Sequence, residues 1–92
     1  MNTWIKTGRL YIRADDIKQI YYRPTKDRNG RDGFEFFAVT DRKKPRLGFF
    51  RLKSERQAKK AIELLIKSLV HGGIVDFDQI VESAKIRVEV RE

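Results

Sequence analysis

The chain has no cysteine. Disulfides, thiolate zinc sites and cysteine nucleophiles are thereby excluded, and the composition fits an intracellular, cytoplasmic protein. It has one histidine, His71, placed where a helix should end, so its expected role is with the last helical carbonyls and the helix dipole. The first thirty residues hold no uninterrupted apolar run, and the longest apolar helical segment is broken by Glu63 and Lys67. The expectation is therefore no signal peptide and no membrane span. No serine or lysine falls in a recognisable nucleophile motif, and the glycines form no phosphate-cradling pattern. Asp15 and Asp16 would point to opposite faces of a strand, which suits a turn better than a carboxylate pair. His71 with Asp76 and Asp78 lacks the convergent further ligand that metal sites need, and both aspartates are placed to cap a short helical turn at Gln79-Ile80-Val81. These readings point to a protein that is not an enzyme, with no metal and no cofactor.

What the chain does have is positive charge. Its 92 residues carry a net charge of +8, unevenly spread. Residues 21–53 hold ten basic and four acidic side chains, whereas residues 71–92 hold three basic and five acidic ones. A basic excess suggests a polyanionic partner. The length suits one domain, residues 1–92, with 40% hydrophobic residues to build a modest core.

The clearest element is a helix after Ser54. Ala58, Ala61, Ile62, Leu65, Ile66 and Leu69 recur at three- and four-residue steps and form one apolar stripe, with Leu64 between the apolar and charged faces. Ser54 and Gln57 make a capping-box pattern, and Gly72-Gly73 supplies the left-handed residue that ends a helix. Before it, Trp4 to Arg13 reads as a hairpin through Thr7-Gly8, with Leu10 and Ile12 facing in. Ile17 to Arg23 leans to strand on its β-branched and aromatic content. Pro24 to Gly33 reads as a loop with turn signals at Asn29-Gly30 and Asp32-Gly33. Phe34–Thr40 and Leu47–Leu52 are strands apolar on both faces, joined by the Asp41–Pro45 turn. Lys85–Glu92 alternates, with Ile86, Val88 and Val90 on one side, as a half-buried edge strand does. The fold expected is α+β: a small antiparallel sheet of four to five strands with one long helix packed on one face, in the order β-β-β-β-α-β. A ferredoxin-like βαββαβ order is the alternative.

Residues 46–62 followed by 85–90 partly resemble the second half of an RNA recognition motif, in which an aromatic strand runs into a helix rich in Ala, Glu and Lys and a last strand follows. Leu47-Gly48-Phe49-Phe50-Arg51-Leu52 matches the later positions of the aromatic motif, and Leu10-Tyr11-Ile12 stands for the first-strand motif. Pro45-Arg46 replaces the opening Arg-Gly, and Leu47 replaces a stacking aromatic. A four-strand meander followed by a helix also resembles the single-stranded-DNA-binding coactivator family.

Basic residues beside aromatic ones carry the functional expectation, a small binding module for single-stranded DNA or RNA. Arg42, Lys43, Lys44, Arg46 and Arg51 would neutralise phosphates, and Tyr11 and Phe49 would stack on unpaired bases. Strand aromatics suit splayed bases, and no helix offers an evident base-reading face. The competing expectation is a protein-interaction module, binding an acidic protein or a second copy as a homodimer through the phenylalanine-rich sheet face.

Overall fold

The computed structural model describes the backbone of residues 2–91 and the side chains of residues 2–88. The element order is β1 (Thr3–Thr7), β2 (Leu10–Arg13), a 3-10 turn (Ala14–Asp16), β3 (Gln19–Lys26), β4 (Asp32–Val39), β5 (Arg46–Phe50), α1 (Glu55–Val70), β6 (Gly73–Asp76) and α2 (Phe77–Arg91). The class is α+β, as expected. The single sheet and single helix are not: the strands form two three-stranded sheets, β2-β1-β6 and β3-β4-β5, and there are two helices among the described residues. The ferredoxin-like alternative fails as well, because only one 3-10 turn stands where its first helix would be.

The first sheet is mixed. β1 pairs antiparallel with β2 through the Gly8-Arg9 turn, and parallel with β6, which aligns Ile5 with Val75. Ile5, Ile12 and Val75 face the core, whereas Trp4, Lys6, Tyr11, Arg13 and Ile74 occupy the other face by alternation. Leu10, expected to face in, is 40% exposed. The Thr7 hydroxyl donates to the Leu47 carbonyl and ties β1 to β5 of the second sheet.

The second sheet is an antiparallel meander. β3 continues through Pro24 to Lys26, where a loop was expected. Because β3 is an edge strand, a proline there leaves no ladder donor missing. The hairpin closes instead over Asp27–Arg31, whose Asp27 carboxylate accepts from the N–H groups of Asn29 (2.8 Å) and Arg31 (2.9 Å). That local closure releases Asp32-Gly33 from a turn into β4. β5 carries an irregularity opposite Phe36/Phe37, so that Arg46, not Leu47, pairs with Phe37. Gly48 beside it has φ 147°, a conformation that side-chain-bearing residues rarely adopt.

α1 begins and ends where its sequence signals place it, although the cap differs. Ser54 makes no side-chain cap bond, and the Gln57 side chain reaches one residue further back to accept from the Lys53 N–H at 2.7 Å. Glu63 lies 3.1 Å from Lys67, and the hydrogen bonds from Lys67 and Lys60 hold its carboxyl below its ordinary value. The buried stripe is rotated from the expected one: Leu64 is buried and Ile66 is 54% exposed. α1 is covered both by α2, which packs along it, and by strands β3 and β6, so its buried face is not set by one sheet alone.

α2 overturns the expected Lys85–Glu92 strand; Glu92 itself lies outside the described residues, as do the side chains of Glu89, Val90 and Arg91. Phe77, Val81, Ala84 and Val88 are buried at steps of four, three and four, a helical period, while Ile86 is 62% exposed. Asp76 starts the helix by accepting from the N–H groups of Asp78 (3.0 Å) and Gln79 (3.4 Å), the expected cap on a far longer helix. Phe77 fills the centre of the core, with its ring centroid 5.2 Å from that of Phe36 and 5.6 Å from that of Phe50. One contiguous cluster joins residues of both sheets and both helices. Among the described residues no helix is long and apolar enough to cross a membrane.

Candidate nucleic-acid interface

The register of β3-β4-β5 gives its two faces different chemistry. Toward the core point Ile20, Tyr22, Phe34, Phe36, Ala38 and Phe50. The outer face is built from cross-strand rows: Tyr21, Phe37 and Arg46 in one, and Arg23, Glu35 and Phe49 in the next. The phenylalanine-rich strands are thus divided. Phe36 and Phe50 pack on Phe77, and Phe37 and Phe49 remain half-buried on the outer side.

Within these rows the side chains hold one another. Tyr21 and Phe37 stack with centroids 5.1 Å apart and planes 20° from parallel. The Arg23 guanidinium carbon lies 5.2 Å from the Phe37 centroid, a cation–π contact. Phe37 thus contacts both Tyr21 and Arg23, and the three side chains form one planar and cationic cluster on the outer face. Glu35, its side chain only 15% exposed, receives both arginines: Arg23 at 3.0 Å and Arg46 at 3.2 Å. Two guanidiniums around one carboxylate leave a net positive charge on the face and keep both arginines extended across it.

Phe49 is positioned by an absence. A Cβ on Gly33 would collide with the Phe49 ring and come within 2.8 Å of the Phe50 carbonyl oxygen. The ring therefore lies directly over the Gly33 backbone. Gly33→Ala must displace either the ring or β5, at a cost of about 1–3 kcal/mol. Urea denaturation should show the lower midpoint, and an unchanged midpoint would mean that Phe49 does not rest on Gly33.

The seven residues singled out from sequence are separated by the fold. Arg46 and Phe49 lie on the outer face just described. Lys44 is exposed in the β4–β5 turn at one end of the sheet. Arg51 is exposed toward the other end, where its charge is felt by Asp27. The Asp27 carboxyl sits below its ordinary value chiefly through the Arg31 N–H bond, against a smaller opposing desolvation, with Asn29, Arg31 and Arg51 adding to the depression. Tyr11, Arg42 and Lys43 come together elsewhere, in a cleft beside β2. Comparison with protein-family models, curated proteins and solved structures finds no match for this chain.

Sequence reasoning missed Tyr21, Arg23 and Glu35 as site residues and held Phe37, alongside Phe36 and Phe50, only as core or interface. Tyr21 and Arg23 share strand parity, which was a usable signal, but ending that strand before Pro24 hid how far the alternation runs.

Proposed function

We propose that the chain binds single-stranded nucleic acid across the outer face of β3-β4-β5. The observation that carries this reading is the Tyr21–Phe37–Arg23 stack set beside the Arg23–Glu35–Arg46 bridge, which presents planar and cationic groups together on one sheet face. Tyr21 and Phe49 would stack on bases, and Arg23 and Arg46 would meet phosphates. The eight residues of β4 span roughly 27 Å, so a bound strand could run from Lys44 at one end toward Arg51 at the other. The guanidinium stripe would bridge the β4–β5 turn, with Arg42, Lys43 and Lys44, and the β3–β4 turn, with Arg28 and Arg31, which a meander places at opposite ends.

Fluorescence anisotropy with labelled single-stranded DNA, single-stranded RNA and duplex across a salt series tests this. Binding to a single strand should exceed binding to duplex and fall with salt without vanishing. Tyr21→Ala should weaken it by about tenfold, the worth of one stacked base. Arg23→Gln with Arg46→Gln keeps hydrogen-bonding groups beside Glu35 and should flatten the logarithmic salt slope by about 1.4, the share of two phosphate contacts. Equal weak binding to all three probes, or none at low salt, overturns the proposal.

A further inference from the structure

β2 forms one edge of the sheet β2-β1-β6, and no strand among the described residues pairs with its outer side. Its backbone groups divide by register. The two-residue turn Gly8-Arg9 is closed by Thr7 opposite Leu10. In such a hairpin the closing pair is hydrogen-bonded, and bonded and non-bonded pairs alternate from there. Leu10 and Ile12 thus direct their N–H and C=O groups to β1, and Tyr11 and Arg13 direct theirs outward. A cleft of about 590 Å³ runs along this edge, with the β4–β5 turn from Thr40 to Pro45 as its far wall.

The lining has a definite chemistry. Trp4, Tyr11 and Pro45 supply apolar surface, and Arg13, Arg42 and Lys43 supply cations. Two acids also line the cleft, Asp16 and Asp41, the latter in an exposed 3.8 Å contact with Lys18, so three cations stand against two carboxylates in the lining. Arg13 has an exposed partner in Asp15 at 4.0 Å, a weak contact at that distance and exposure.

We propose that β2 accepts an extended, acidic peptide segment of another protein as an added strand of this sheet. Outward N–H and C=O groups of Tyr11 and Arg13 would pair with the peptide backbone. Apolar side chains of the peptide would rest on Trp4 and Tyr11, and its carboxylates would reach Arg13, Arg42 and Lys43. Charge selects this occupant over a second copy of the chain. Two β2 strands edge to edge would bring Arg9 and Arg13 of both copies together, in molecules that each carry +8. The inference is independent of the outer face of β3-β4-β5, which uses other side chains.

The test begins with selection of random displayed peptides against the full chain. The winners should carry carboxylates alternating with apolar residues. The commonest winner, synthesised with a fluorescent label, is then titrated by anisotropy. N-methylation of its backbone should abolish binding at alternate positions and be tolerated at those between, the signature of a paired strand. Arg42→Glu with Lys43→Glu, both exposed in a turn, should weaken it by about tenfold or more. In a ¹⁵N spectrum the Tyr11 and Arg13 amides should gain exchange protection on binding, and the fold should be unchanged in the double variant. No enrichment, winners without acidic residues, equal sensitivity to N-methylation at every position, or displacement of the peptide by oligothymidylate would overturn the proposal.

Discussion

Phe77→Ala is expected to lower stability by about 3–5 kcal/mol, the cost of deleting a fully buried aromatic ring. Such a loss matches much of the net stability of a chain this size, so the variant should be largely unfolded or melt far below the parent. Phe77 is fully buried, its ring set edge-on to those of Phe36 and Phe50. Those two residues come from the second sheet, and Phe77 opens α2 directly after β6 of the first. One side chain thereby joins α2 to the second sheet. Phe77→Leu retains much of the volume and should cost less, separating the shape of the ring from simple burial. Calorimetry or urea denaturation reads both variants. An alanine variant within 1 kcal/mol (about 0.7 of a decade in the folding constant) of the parent would show that the core does not close on this residue.

Ser83→Pro should cost about 3 kcal/mol or more. Ser83 is exposed in the interior of α2, where proline removes an N–H donor and strikes the carbonyl one turn earlier. Its companion is Ile86→Glu. In a half-buried strand Ile86 would be core, and a glutamate there would be ruinous. On α2 it is 62% exposed, so the change should stay within about 0.5 kcal/mol. The pair of outcomes, a severe loss at Ser83 and near neutrality at Ile86, distinguishes helix from strand by thermal melting alone. The reverse pattern would restore the strand.

The local elements with strong punctuation could be read from sequence. α1 has a three-and-four apolar stripe and a Gly72-Gly73 end, and the β1–β2 hairpin has its Gly8 turn. β4 and β5 are aromatic runs bounded by charged turns. The last third could not be read this way because Ile86, Val88 and Val90 satisfy a period of two while Phe77, Val81, Ala84 and Val88 satisfy 3.6. Val88 fits both, and only packing against α1 decides. Ile74-Val75 is too short to announce a strand, and its parallel partner β1 lies at the opposite end of the chain. The same limit applies to the candidate site. Tyr21 is an unremarked aromatic and Phe37 one of four phenylalanines on two-sided strands until strand pairing sets them side by side, and Glu35 is one acid among many until Arg23 and Arg46 close on it. Basic turns and aromatic strands could be recognised in the sequence; which of them share a face could not.

The parallel pairing of β1 with β6 has a consequence for how the chain reaches this fold. The meander β3-β4-β5 joins neighbours in sequence and can form while the chain is still emerging. β1 is in a different position: its β6 partner begins only at Gly73. Until residues 73–76 have left the ribosome, β1 and β2 are a lone hairpin, which is at best marginally stable in water. Long loops closed late slow the search for the native topology. The sheet β2-β1-β6 is therefore completed after the meander, and its central strand stays open to a competing strand until β6 arrives.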